Sequence, residues 1–266
     1  MPETRQQSES VDPVVMERRE HVAVVRLNRE HARNAIDGPT TAALDEIFDE
    51  LTGDPEIWAV VLTGTGDRAF CAGMDLKAFA SGEAAGIMSS RNGFGGLAQR
   101  DFPKPLIAAV NGAALAGGLE LVLSCDLVVA AEHAVFGIPE VRRGLVAAAG
   151  GLIRLPRRVP FSVAVELALT GEPIDAQRAL ALGLVNRVVR GGDVLGEAVG
   201  LAERICSNAP LAVQVSKRIM KAALDLSEAD AWDYNAKEIA PVFSSADALE
   251  GARAFAEKRP PNWQGA

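Results

Sequence analysis

The sequence has 266 residues, of which 48% are hydrophobic and 23% charged, with a formal net charge of −8. That is an ordinary globular mixture, long enough for one large domain or a domain with an appendage. The acidic balance argues against a general nucleic-acid partner, and no apolar run approaches the ~20 residues of a membrane-spanning helix.

Residues 1 to 12 read as a frayed tail. Polar and containing acid, their start MPETRQQSES fits neither a signal nor a transit peptide, so a cytoplasmic setting is expected. Val14 to Arg18 and His21 to Leu27 alternate as two strands of a hairpin. An amphipathic helix follows, with Leu44, Ile47, Phe48 and Leu51 at helical spacing, and Gly53-Asp54-Pro55 ends it. Trp58 to Thr63 is a buried strand, and strand–helix–strand is the rhythm of a sheet with parallel members. Gly64 to Ala69 is formally G-x-G-x-x-A, but no helix opens there, so a tight turn is expected rather than a dinucleotide site. Residues 77 to 102 read as a long loop, functional or mobile.

Leu106 to Val110 is an apolar strand, and Gly117-Gly118 then leads into a helical pattern with Leu119, Val122 and Leu123. A strand, a glycine turn and a helix start leave backbone N–H groups pointing into a gap, an anion site without any side chain. Glu120 lies in that helix's first turn, and Glu140 follows Pro139 twenty positions on. Two carboxylates near an N–H pocket are the parts needed to stabilise an oxyanion and move a proton beside it. Leu145 to Leu155 reads as a helix starting near Ala147 and stopped by Pro156. Helices at Phe161–Leu169 and Asp175–Leu182 and a short strand at Leu184–Val189 come next. From Val194 there are only helices: 194–207, 210–224, 228–240 and 245–257, the last capped by Ser244 or Ser245. The chain divides into a mixed core, 1–193, and a helical appendage, 194–266, whose small helices point to packing on another subunit.

Plainer readings stand beside these. The glycine pair could serve only a tight turn, and Glu120 only the helix dipole. Cys71, Cys125 and Cys206 have no C-x-x-C spacing and the three histidines form no H-x-x-x-H pair, so neither a disulfide framework nor a metal is expected. Cys71 reads as small packing, His133 as a turn residue, and Arg142-Arg143 and Arg157-Arg158 as solvated faces.

Four blocks together resemble the crotonase (enoyl-CoA hydratase/isomerase) superfamily. They are Leu27-Asn28-Arg29 with Arg33-Asn34-Ala35; Ala69-Phe70-Cys71-Ala72-Gly73-Met74-Asp75-Leu76; A-G-G-x-E through Glu120 with F-G-x-P-E through Glu140; and Phe255-Ala256-Glu257-Lys258-Arg259. In order and spacing they span Val14 to Trp263. The resemblance implies an α/β fold, a crotonase-like ββα spiral core with a helical C-terminal appendage for oligomerisation, as homotrimers often paired into hexamers. It implies an acyl-CoA thioester substrate and no cofactor beyond that coenzyme A. It places the oxyanion hole at the N–H groups of Ala72 and Gly117, with Glu120 serving the water and Glu140 the Cα proton. Gly73, Met74, Asp75 and Ala148 would bind substrate. Arg33, Phe255 and Lys258 would bind coenzyme A, the last two from a neighbouring subunit, and residues 77 to 102 would wall the acyl pocket. One departure stands out: hydrating relatives often carry P-G-A-G-G where this chain has Ala147-Ala148-Ala149-Gly150-Gly151. The expected activity is enoyl-CoA hydratase. An isomerase or dehydratase of the same fold is the nearest alternative, and a non-catalytic acyl-CoA-binding protein the alternative of another class.

Overall fold

The computed structural model describes residues 12–82, 86–87, 91–191 and 193–265. Its first strands, β1 (Val14–Arg19) and β2 (Val22–Leu27), form the expected antiparallel hairpin. α1 (Gly38–Gly53) buries Leu44, Phe48 and Leu51 and is capped by Asp37, whose side chain accepts from the Thr40 N–H. β3 (Ala59–Gly64) then pairs in parallel with β2.

From β3 onward the chain repeats one move. β3 is followed by β4 (Ala69–Cys71) and α2 (Leu76–Ala80); β5 (Leu106–Val110) by β6 (Ala113–Leu115) and α3 (Gly117–Ser124); β7 (Leu127–Ala131) by β8 (Val135–Gly137) and a 3-10 turn over Pro139–Arg143. In each pair the first strand enters a six-stranded sheet of order β1-β2-β3-β5-β7-β10, where β10 is Arg187–Val189. The second enters a four-stranded sheet, β4-β6-β8-β9, with β9 at Ile174–Asp175. Right-handed strand twist and short connections wind such units into a spiral. The ββα spiral is therefore present. β3 and β5 are buried along their whole length, as befits parallel strands covered on both faces.

The remaining helices are α4 (Gly151–Arg158), α5 (Phe161–Thr170), α6 (Ala176–Ala181), α7 (Val194–Cys206), α8 (Pro210–Ala223), α9 (Glu228–Phe243) and α10 (Ala246–Glu257). Three expectations need correcting. The helix expected over 145–155 begins only at Gly151 and runs through Pro156. Ala147 to Gly150 are taken instead by a turn whose N–H groups serve Glu120, as described below. The boundary at 193/194 also fails. Val194, Ala198, Val199 and Ala202 of α7 pack on Val22, Val24, Ala59, Val61, Ile107 and Ala109, covering the outer face of the six-stranded sheet, so α7 belongs to the core. Third, the segment 77–102 is not loop throughout: α2 occupies its start, and Ile87, Phe94, Leu97, Ala98 and Phe102 are buried in the main core. Positions 83–85 and 88–90 of that segment, and 1–11 of the expected tail, lie outside the described residues.

Candidate active site

The site is built where α3 begins. Ala116 precedes the helix with φ 53° and ψ −129°, a backbone region that side chains rarely enter, and its own N–H is held by the Gly137 carbonyl at 2.9 Å. The two glycines that follow are required by close approach. A Cβ on Gly118 would stand 2.0 Å from the Cys71 carbonyl oxygen, and one on Gly117 would stand 2.5 Å from the Phe94 ring. Gly73, at φ +93°, completes the fit: a Cβ there would lie 2.9 Å from the Ala116 methyl and 3.1 Å from the Gly117 nitrogen. The strip 71–74 therefore rests directly on the start of α3.

That contact settles which N–H groups are available. The Ala72 N–H, expected in the oxyanion hole, donates to the Arg33 carbonyl at 3.1 Å, so it is already engaged. Two residues on, the Met74 N–H makes no hydrogen bond among the described residues, and neither does that of Gly117. A strip of irregular backbone turns successive N–H groups to different sides. The motif alone did not say which of three neighbours faces the gap.

Glu120 is almost fully buried on α3, and its Oε1 accepts from Ala149 N–H at 2.7 Å and Gly151 N–H at 2.8 Å. Gly151 permits this, since a Cβ there would sit 3.1 Å from that same oxygen. Burial raises the Glu120 carboxyl, against the pull of Gly151, Ala149 and Arg154. Glu140 lies in the 3-10 turn, with its Oε2 buried and without a hydrogen-bond partner. Burial, with the charge of Glu120 added, lifts Glu140 to about 7. One carboxylate is thus locked in place and the other left with an open oxygen.

The other expected residues divide. Asp75 caps α2 through Oδ1, which accepts from Lys77 N–H at 3.0 Å, and gives Oδ2 to Arg29 at 3.1 Å; both oxygens are used structurally. Ala148 is exposed beside Ala149, and Arg33 is exposed on the strand of chain that holds Ala72. Phe255 and Lys258 are both exposed on or at the end of α10, which packs against α9, while the tail beyond it bonds Trp263 to the Ser207 carbonyl. Cys71 is buried with its thiol pushed up to about 12, and His133 Nε2 sits 2.9 Å from the Asp67 carbonyl oxygen. Neither is placed as a nucleophile or base. Among the described residues no cluster of three metal-binding side chains occurs, and no helix is long and apolar enough to cross a membrane. The anchoring of Glu120 by Ala149 and Gly151, and the double pairing of Arg29 described below, had no signal in the sequence beyond small residues and a short motif.

Backbone N–H groups without a partner among the described residues, with one buried and one partly buried carboxyl in the same region, are groups that can polarise a carbonyl and move a proton. This chain belongs to the enoyl-CoA hydratase/isomerase family, whose sequence model matches residues 17–266. It is 42% identical to the carnitinyl-CoA dehydratase of Proteus mirabilis over 237 residues, which cover 87% of this chain and 91% of that protein. Its structure is similar to that of an enoyl-CoA hydratase from Mycobacterium tuberculosis, with a TM-score of 0.93 and 48% identity, covering 96% of this chain and 100% of that one. It is also similar to a carnitinyl-CoA hydratase from Mycobacterium avium, with a TM-score of 0.77 and 48% identity over 97% of this chain and 100% of that one.

Proposed function

We propose that this protein is an enoyl-CoA hydratase, adding water across the 2,3 double bond of an enoyl-CoA thioester. The observation that carries the reading is the pairing of a fixed carboxylate with an open one. Glu120 is held by two N–H groups, and Glu140 beside it has a buried, unpartnered oxygen and a carboxyl raised to about 7. The thioester carbonyl lies between the N–H groups of Met74 and Gly117, whose fixed dipoles stabilise the enolate oxygen as charge develops. Glu120 takes a proton from the water as its oxygen attacks Cβ, and Glu140, carrying a proton near neutral pH, delivers it to Cα. The Ala148 N–H helps to hold that water. Proton return from Glu120 to Glu140 resets the pair.

Coenzyme A is bound at Arg33, with Phe255 and Lys258 supplied by a neighbouring copy in a homo-oligomer. The similarity to carnitinyl-CoA dehydratase supports a second reading, removal of water from a 3-hydroxyacyl-CoA. It uses the same groups in reverse.

Crotonyl-CoA and carnitinyl-CoA, each with product identification, test both directions. Glu120→Gln and Glu140→Gln should each bind crotonyl-CoA yet lose about 10²–10⁴ in hydration rate. The double variant should be far less impaired than the product of the two losses, because both groups act on one reaction. If only one substitution matters and 3-enoyl-CoA becomes 2-enoyl-CoA without a hydroxyacyl product, the protein is an isomerase. Binding with no change in the conjugated thioester absorbance would make it a non-catalytic acyl-CoA binder.

A further inference from the structure

The link after β2 joins two helices through one side chain. Arg29 is largely buried, and its Nη2 lies 2.8 Å from Asp37 Oδ2 and 3.1 Å from Asp75 Oδ2, while Nη1 donates to the Ala35 carbonyl at 2.5 Å. Each aspartate commits its other oxygen to a helix start. Asp37 Oδ1 accepts from Thr40 N–H at 2.9 Å on α1, and Asp75 Oδ1 from Lys77 N–H at 3.0 Å on α2. Between these acids run two backbone bonds of 2.8 Å, Ile36 N–H to the Gly73 carbonyl and Asp75 N–H to the Ile36 carbonyl. They bracket Met74. Its N–H therefore takes its direction from its neighbours and not from any partner of its own.

We propose that Arg29 is a positioning residue of the oxyanion hole: by holding Asp37 and Asp75 together it fixes residues 73–75 against 35–37 and sets the aim of the Met74 N–H. The proposal rests on the reading of Met74 and Gly117 as the carbonyl pocket. Without the guanidinium, two carboxylates whose side chains are each 16% exposed face one another with no counter-charge between them. Like charges in a poorly solvated site repel strongly. The starts of α1 and α2 then part, and the peptide between them tilts. A displacement of about 1 Å in a group that positions a reacting atom can cost ~10²-fold in rate.

The full-length protein serves for the test, with 4-dimethylaminocinnamoyl-CoA as probe. The absorbance of such a donor–acceptor thioester moves to longer wavelength when its carbonyl is hydrogen-bonded, so the shift on binding reads the hole without turnover. Crotonyl-CoA hydration gives kcat and KM alongside. Arg29→Gln should lose most of the red shift and about 10²-fold in kcat, with KM changed only a few-fold. Arg29→Lys should keep part of both, and Arg29→Gln combined with Asp75→Asn should regain part, since the repelling pair is gone. If Arg29→Gln lowers the melting temperature but leaves the red shift and kcat intact, Arg29 supports the fold alone and the proposal is wrong. Equal losses with Lys and Gln, and none regained in the double variant, would overturn it as well. If Arg29→Gln does not fold, Arg29→Lys decides: an unchanged shift and rate refute the proposal. A wild-type protein that binds the probe without a red shift would refute the carbonyl pocket itself. That outcome is visible before any variant is made.

Discussion

Burial around Glu140, reinforced by the charge on Glu120, lifts its carboxyl to about 7, and this has consequences for rate and for stability. If Glu140 delivers the Cα proton, kcat/KM for hydration falls as pH rises through about 7. A profile flat from pH 6 to 9 would remove Glu140 from that role. An unfolded glutamate titrates at about 4.3, below the folded value, so the folded chain keeps a proton that the unfolded chain releases. Folding stability is therefore lost as pH rises from about 4.3 to about 7, and stays level above. Glu140→Gln should melt at a higher temperature than the wild type at pH 8, and the gain should vanish towards pH 4. Calorimetry across that range checks it, and a gain independent of pH would mean the carboxyl titrates normally. Glu120 is raised in the same direction by burial, but its two N–H donors oppose the rise and keep its charge more tolerable.

The turn between the Glu140 segment and α4 shows how an element takes its shape from a partner far along the chain. Ala147 to Gly151 have the composition of a helix start, yet Ala149 and Gly151 turn their N–H groups on Glu120, which delays α4 to Gly151. Pro156 then sits inside α4, a helix with exposed Leu152 and Ile153 on its outer side, so a carbonyl without its partner can be solvated. The start of α3 is equally dependent on its neighbour. Gly118→Ala would drive a methyl group to 2.0 Å from the Cys71 carbonyl, which is backbone and cannot rotate away. Overpacking of this kind costs about 1–3 kcal/mol or more. The variant should therefore melt lower than the wild type and, where folded, bind the cinnamoyl probe with a smaller red shift. Normal melting and a normal shift would show that the strip 71–74 is looser than the contact implies.

At the scale of the whole chain, much apolar surface faces outward. Phe161 and Leu169 of α5 are each 73% exposed, and Phe243, Leu249 and Phe255 of the last two helices are 77%, 68% and 88% exposed. The homo-oligomer proposed above would cover such side chains, as large exposed apolar patches mark interaction faces. Burying one such side chain at an interface is worth about 1.5–3 kcal/mol. Leu249→Asp should accordingly shift the protein to smaller assemblies in light scattering. An unchanged mass would place α10 outside the interface. If Lys258 binds coenzyme A as proposed, Lys258→Ala should raise KM for the thioester with little effect on kcat, because a phosphate contact serves ground and transition states equally. A loss confined to kcat would place Lys258 at the reacting atoms instead.

Apolar periodicity in the sequence determined the hairpin, β3, β5 and the presence of α1 and the four last helices, with most ends within a residue and the end of α9 three residues late, because burial of a strand or helix face leaves its mark in local spacing. Four motifs in register determined the family and the ββα spiral. Gly117, Glu120 and Glu140 could be singled out as candidates because a glycine turn, a helix start and a Pro-Glu step are local features with chemical meaning. What only the tertiary structure decided involves partners distant in the chain. The Ala72 N–H is spent because Arg33 lies across from it, and the Met74 N–H makes no bond among the described residues because Ile36 pairs with Met74 as a parallel bridge whose two hydrogen bonds go to Gly73 and Asp75. α7 joins the core because the outer face of a parallel sheet needs a cover, which its own sequence does not announce. Arg29 was visible as part of a short motif, but its two aspartates lie 8 and 46 positions away, and only the fold brings them to one guanidinium.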